Sequence, residues 1–471
     1  MHRRRSLSFP RRFRRTHRER AEAVRHGRRE PAFRARRGLT TERRGSDPNS
    51  ANGAACMAHL LLLEVPGGND FALLEDAVAA GHDVTFVTAD LAHYRSQGEA
   101  TLAALAQARE VIEVAPFTYP QLEQAALALH ARRAVDAILC LIDIRLVEAS
   151  LLAEKLDLRF LNPATTRLMR DKVSVRQTLA RKGIRQPKFA LAESADQVHA
   201  AVLQIGFPVL VKPADGYGSQ NVNVVESKEE LERLLELLDG LTAHPIDYGL
   251  GVQANNRYSV EQYIRGSMIG CDVFSNTQER VLLGINDKLM FPPPSFAIRG
   301  SCFPSARYDT TAIKDYAFQI LDAVNFDFGA AHIEMIVADD GPYLVEVNPR
   351  LVSAQIPYQM GYALQRSINL DLIDLHLGAS LAELRDIQPR AFSAIRWMTA
   401  ARAGTLSSID LPQRTGDEIC RVVLFKKPGD LVKPPLSNGD RIGYVIATGA
   451  TQLLAEQAAD RYVHDTDVAI L

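Results

Sequence analysis

Cysteine is scarce in this chain of 471 residues: five are present, at 56, 140, 271, 302 and 420, and no two form a CxxC pair. That spacing argues against a disulfide scaffold and a cysteine-rich zinc site, and it points to a reducing, cytoplasmic compartment. Long apolar runs are also missing. No stretch approaches the roughly 18 consecutive apolar residues of a membrane span, which excludes an integral helical membrane protein. The signatures GxGxxG, GxxxxGK[ST] and GxSxG do not occur, so the dinucleotide fingerprint, the P-loop and the serine-hydrolase elbow are all absent. What remains, with 46% hydrophobic and 24% charged residues, is the composition of a globular protein long enough for about three domains.

The net charge of -1 averages two unlike parts. Residues 1–56 hold 17 arginines and five acids, a balance of +12, and leave 57–471 at -13. An arginine-rich, acid-poor leader fits a nucleic-acid arm or an organelle transit peptide. It carries no apolar periodicity, however, and the first strand-like run opens at Met57. The expectation is a disordered upstream extension with the true start at Met57. The acidic body gives no independent sign of nucleic-acid binding.

From Met57 the pattern alternates: strand His59–Val65, a turn at 67–69, helix Phe71–Ala80 closed by Gly81, strand Asp83–Thr88, strand Val135–Ile142 and helix Arg145–Lys155. Alternation of this kind predicts a parallel sheet, hence a small Rossmann-like α/β unit over 57–160. A helix is predicted over Ala164–Lys182, with Gly183 ending it. Strands at 207–212 and 221–225 flank Pro213-Ala-Asp-Gly-Tyr-Gly-Ser219. There Gly216 and Gly218 allow a tight backbone whose N–H groups suit phosphate oxygens, with Lys212 beside them as a point charge. The same loop also reads as a mobile turn.

The densest local signal is His332-Ile-Glu334 followed by Glu346-Val-Asn348-Pro-Arg350, two strand-like runs around Asp339-Asp340-Gly341. With Asp340 at the tip, Glu334 falls opposite Glu346 and His332 opposite Asn348. Like charges about 5 Å apart across a sheet are destabilising unless neutralised. Paired carboxylates beside an asparagine form an oxygen-donor set for Mg²⁺ or Mn²⁺. Lysine or arginine partners would neutralise them equally well.

The order of these pieces, Lys172, Lys212 with its glycine loop, Val260-Glu-Gln-Tyr-Ile264, then Glu334/Glu346/Asn348/Arg350, resembles the ATP-grasp superfamily. Within it the chain is most similar to the carboxylate–amine ligases, including the L-amino-acid (dipeptide) ligases. The resemblance covers about 57–471. It implies a mixed α/β and α+β architecture: a Rossmann-like pre-ATP-grasp domain (57–160), a two-subdomain ATP-grasp core (161–380) and a small C-terminal α+β lobe (391–471). It further implies ATP neutralised by Lys172 and Lys212, with the loop Gly216–Ser219 closing over the phosphates. Glu261, Tyr263 and Ile264 would form the hinge, Glu261 and nearby backbone holding the adenine edge. Glu334 and Glu346 would bridge Mg²⁺ (or Mn²⁺), with Asn348 completing the site, and Arg350 would stabilise the acyl phosphate. His332, Lys288 and Arg299 are the substrate-side candidates, each readable also as a core histidine or a surface charge.

Such an enzyme joins a small-molecule carboxylate to an amine, amino acids foremost, releasing ADP and phosphate; a homodimer is left open. An ATP-grasp carboxylase, a nucleotide-biosynthesis ligase and a non-catalytic ATP-binding module are the alternatives. Three departures from the family pattern fall near the nucleotide and acceptor pockets. Arg265-Gly-Ser-Met268 lacks the second acid at the ribose, Leu351-Val-Ser353 replaces a glycine pair, and Asn221 stands where glycine is common. In the C-terminal part, strands are predicted at 394–399, 421–426 and 442–448 and a helix at 452–462. Trp397, the chain's one tryptophan, reads as core.

Overall fold

The computed structural model describes residues 57–471 apart from 69, 219, 244–245, 293–294, 296, 354 and 414–415. The arginine-rich leader, Asn69 and Ser219 therefore lie outside the described residues. Among those described, no helix is long and apolar enough to cross a membrane.

The first unit is the expected parallel sheet, in the order Glu110–Glu113, Asp83–Thr88, His59–Leu63, Ala137–Leu139. His59–Leu63 is buried along its whole length, as a parallel strand covered on both faces must be, and this is why its sequence is an unbroken apolar run. The strand predicted over Val135–Ile142 shrinks to Ala137–Leu139, because the chain turns at once into a short 3₁₀ segment, Asp143–Arg145. That turn places Asp143 at the carboxyl end of a parallel strand, where open α/β sheets present functional groups.

The single helix predicted over 164–182 is two, Pro163–Arg170 and Lys172–Arg181. Asp171 breaks it: the residue is extended (φ -109°, ψ 108°), and its carboxylate accepts the Ser174 N–H at 2.7 Å, an N-cap inside what periodicity reads as continuous. Lys172 thereby becomes the first residue of a helix rather than a mid-helix surface charge.

Two antiparallel sheets follow. The smaller, ordered Phe189–Ala192, Tyr258–Gln262, Val209–Pro213, Asn223–Val225, is backed by helices Ala195–Ile205 and Lys228–Ala243. The larger has eight strands: Gly341–Asn348, Gly329–Ala338, Ser267–Ser275, Arg280–Met290, Ile298–Phe303, Phe392–Thr399, Arg441–Gly449 and Ile419–Leu424. Its last three strands come from the C-terminal region. The expected C-terminal lobe is thus joined to the core by extending its sheet through the Ile298–Phe303/Phe392–Thr399 pairing. Gly404–Asp410 and Asp467–Ile470, which sequence reading passed over, form a separate three-stranded sheet with Leu431–Val432.

The hairpin carrying the carboxylates keeps the expected pairs Glu334/Glu346 and His332/Asn348, but the path to them differs. Ala338 pairs Gly341, so the turn is Asp339-Asp340 rather than a tip at Asp340 alone. A bulge then inserts Val345 between Leu344, which pairs Met335, and Glu346. Bulges re-aim the backbone beside active sites, and this one turns the Leu344 and Val345 carbonyls toward two cations described below.

Candidate active site

One cavity of about 470 Å³ lies over the large sheet and under the small one. Lys172, Lys212, Gly216, Gly218, Glu261, Tyr263, Ile264, Lys288, His332, Glu334, Glu346, Asn348 and Arg350 all line it. Segments up to 178 residues apart in sequence therefore meet in one place, with one exception among the candidates. Arg299 does not line the cavity; its side chain is half exposed and reaches Asp460 at 3.7 Å. A bulge between Leu289 and Met290 offsets this strand pairing, and Arg299 faces away.

The phosphate-side lysines are held rather than free. Lys212 is buried, with Nζ 3.1 Å from Glu261 Oε2 and 3.2 Å from the Val345 carbonyl. Lys172 Nζ lies 3.3 Å from Glu346 Oε2 and donates to the Gly216 carbonyl. The glycine loop thus reaches a lysine through its backbone. Gly218 sits at φ +63° and Asn221 at φ +53°; Asn is the side chain that best tolerates this left-handed region where a glycine is otherwise used. Gly218→Ala is expected to raise KM for ATP about tenfold through the ~1–2 kcal/mol left-handed penalty, with thermal unfolding little changed. Initial-rate kinetics check it.

Glu261 is held as tightly: its buried carboxylate is engaged by Arg176 (Nη2 to Oε2 2.7 Å, Nε to Oε1 3.2 Å), Lys212 and the Ser259 hydroxyl (2.8 Å). Burial works against its ionisation, but Arg176 and Lys212 outweigh that and hold its pKa at about 2. Gln262, Tyr263 and Ile264 line the cavity beside it. Arg176 also donates to the Leu344 and Val345 carbonyls at 2.7 and 3.1 Å. Sequence reading missed Arg176, although it stands four residues after Lys172 on the same helix face.

At the hairpin, Glu334 is paired with Lys288 and lies 3.3 Å from His332 Nε2. Burial opposes its charge, yet Lys288 and His332 hold its carboxyl far below the usual range. His332 Nδ1 faces Asp272 Oδ1 at 3.2 Å, and that buried oxygen also accepts the Val352 N–H at 3.0 Å. Glycine at 270 makes this possible. It sits in register between Glu334 and Asn286, and a Cβ there would come within 2.8 Å of His332 Cε1 and 3.1 Å of Lys288 Cε. Lys288 can cross over that strand to Glu334 only because nothing projects from it.

Arg350 is buried against Asp143, with Nε at 2.9 Å and Nη2 at 2.6 Å from Oδ2, while Arg170 takes the other oxygen at 2.9 Å. Burial opposes the Asp143 charge, but the two guanidiniums keep its carboxyl low. Asp143 was not singled out from sequence; the available signal was an acid just after a parallel strand. Of the remaining candidates, Met268, at the missing ribose acid, lines the cavity, as do Val352 and Ser353. Trp397 is 3% exposed, as expected of core, yet it also lines the cavity.

The donor set admits a divalent cation. Glu334, Glu346 and the Asn348 amide are all oxygen donors on adjacent strands, and Asn348 Nδ2 donates to Glu346 Oε1 at 3.0 Å. Among the described residues no group of three or more His, Cys, Asp or Glu forms a ready-made metal cage. Mg²⁺ is held by one or two carboxylates and completes its shell with water and phosphate.

Comparison with known proteins agrees with this geometry. Residues 205–357 match the ATP-grasp domain family, and residues 396–470 match the L-amino acid ligase C-terminal domain 2 family. An uncharacterized protein, y4rH, of Sinorhizobium fredii is 29% identical over 309 residues, covering 64% of this chain; the match spans 61% of that relative's length. Among solved structures, an L-amino acid ligase from Bacillus licheniformis superimposes with a TM-score of 0.72 at 18% identity, over 88% of this chain and 99% of the other. Phosphoribosylglycinamide synthetase from Anaerococcus prevotii gives 0.66 at 15% identity, over 88% and 100%. A biotin carboxylase from Campylobacter jejuni gives 0.65 at 18%, over 87% and 92%. Two segments in order thus match the ATP-grasp domain and L-amino acid ligase C-terminal domain 2 families, and the chain shares the fold of these ATP-grasp structures.

Proposed function

We propose that this chain is an ATP-dependent carboxylate–amine ligase that forms an amide or dipeptide bond through an acyl phosphate, releasing ADP and phosphate. The observation that carries the reading is the single cavity in which five cations (Lys172, Lys212, Lys288, Arg350, Arg441) meet three acids, Glu261, Glu334 and Glu346. An excess of positive charge suits a polyanionic nucleotide. The work asked of these groups is electrostatic rather than covalent. The match at 396–470 supports amino acids as the substrates.

The residues divide the labour by position. Leu210, Val222, Tyr263, Ile264 and Ile336 give an apolar end that fits the adenine. Lys172, Lys212 and the loop N–H groups neutralise phosphate oxygens. Glu334, Glu346 and Asn348 would hold Mg²⁺ (or Mn²⁺), which supplies charge neutralisation of the transferring phosphoryl group. Arg350, fixed by Asp143, stabilises the acyl phosphate and the tetrahedral species formed when the amine attacks. Lys288 and His332 face the same space from the neighbouring strands. Closure of the glycine loop excludes water from the acyl phosphate.

The test is release of ADP and phosphate by the full chain with Mg²⁺-ATP and pooled amino acids, then with single pairs. The expected result is release that requires both a carboxylate and an amine. AMP and pyrophosphate would overturn the mechanism, and turnover on bicarbonate without an amine would identify a carboxylase instead.

A further inference from the structure

The end of the cavity farthest from the hairpin holds a cation that the ligase reading counts in the charge balance but gives no individual role. Arg441 is 92% buried (8% exposed) and lines the cavity, yet among the described residues no carboxylate pairs with it. Its Nη2 donates to Asn438 Oδ1 at 2.7 Å and to the Ile298 carbonyl at 3.1 Å. Its Nε is buried without a hydrogen bond, and the guanidinium carbon stacks 3.7 Å over the Trp397 ring. The Trp397 indole N–H is likewise buried and unpartnered. An unpaired buried charge is strongly unfavourable, and folds keep one where a ligand completes it.

The guanidinium is also pre-set. Asn438 Oδ1 accepts both the Ile298 N–H, at 3.0 Å, and Arg441 Nη2, so one side chain ties the edge of the strand to the cation. The neighbouring acid, Asp440, is occupied by Lys433 at 3.4 Å and by Ser437. Burial pulls the Arg441 pKa down to about 9 with no acid to hold it up, and it remains a cation at neutral pH.

Sheet order gives the subsite its place in the reaction. The Glu334 strand and the Ile298 strand that Arg441 touches are three neighbours apart, about 14 Å at ~4.8 Å per strand. On the ligase reading, nucleotide, phosphoryl group, acyl carbon and amine would lie in series across the sheet, with Arg441 beyond the amine. We propose that Arg441, oriented by Asn438 and stacked on Trp397, binds the free carboxylate of the amine-bearing substrate, selecting an amino acid over a simple amine. This assignment rests on the ligase reading, but its test does not require turnover.

Trp397 is the chain's one tryptophan, so fluorescence excited at the indole reports on this subsite alone. The full chain is titrated with glutarate and, separately, with glutaramide, the neutral diamide; wild type, Arg441→Gln and Arg441→Lys are compared. Saturable emission change with glutarate is expected, with the diamide and Arg441→Gln each weaker by about 50-fold, as the loss of a charge-assisted pair implies. Arg441→Lys, which keeps the charge and loses the stacked fork, falls between them and controls for misfolding. Equal response to acid and diamide, or unchanged glutarate binding in Arg441→Gln, would overturn the subsite. In ADP-release assays, amino-acid amides used as the amine partner should show a raised KM in wild type, to the level that free acids show in Arg441→Gln, with KM for ATP constant. Absence of any ADP release alongside glutarate binding would sink the ligase reading and leave the carboxylate subsite standing.

Discussion

Glu346→Ala is expected to lower ADP release by at least about 1000-fold, the scale of several kcal/mol of lost charge stabilisation at a phosphoryl group. Two losses coincide. Glu346 is directly opposite Glu334, so its removal halves the carboxylate pair, and Lys172 loses the partner that holds Nζ 3.3 Å from Oε2. Stability should change little, because Glu346 is partly exposed to the cavity and Lys172 retains the Gly216 carbonyl. The clean signature is therefore a thermal midpoint close to wild type with turnover gone. Retained turnover would remove Glu346 from the phosphoryl-transfer site and with it the central observation of the proposed function.

The second large effect is on folding. Glu261→Gln is expected to cost about 3–5 kcal/mol, since it leaves Arg176 and Lys212 buried without their carboxylate. Acid pH repeats the experiment on the wild-type chain. The folded pKa of about 2 lies below the ordinary carboxyl value of 4.5. Stability from this group is present above 4.5 and is lost as pH falls from there through 2, on the order of 3 kcal/mol. Denaturant unfolding between pH 5 and pH 2 should show that loss in wild type and a flatter limb in Glu261→Gln. Parallel limbs would mean that Glu261 is not held as described.

These effects also mark how far the sequence alone reached. The opposed Glu334/Glu346 pair was legible because strand register is periodic and a hairpin turn is a strong local signal. It survived a one-residue error at the tip because the Val345 bulge compensates for it. The parallel sheet around His59–Leu63 was legible for the same reason: burial on both faces leaves a continuous apolar run. Asp171 was not, since an N-cap inside a periodic stretch looks like any polar surface position until the backbone is seen to leave the helix. Nor were Asp143, Arg176 and Arg441, whose importance comes from partners 207, 85 and 143 residues away. Arg299 failed for the converse reason: its strand-end position is shifted by a bulge that no local pattern announces. Gly270 had no motif at all, because its contribution is the space that it leaves for Lys288.

Arg176 has a further consequence. Its guanidinium joins Glu261 on the small sheet to the Leu344 and Val345 carbonyls on the large one, and Lys212 repeats the span from Glu261 to Val345. The hairpin, by contrast, belongs to the same eight-stranded sheet as the strand of Arg441. The proposed phosphoryl site and carboxylate subsite thus stand on one continuous sheet, and the glycine loop belongs to the other. The two sheets are thus tied by two cations at a single bulge, while Lys172 and Arg170 grip the glycine loop through the Gly216 and Asp215 carbonyls, so the small sheet is clamped at both ends of the cavity.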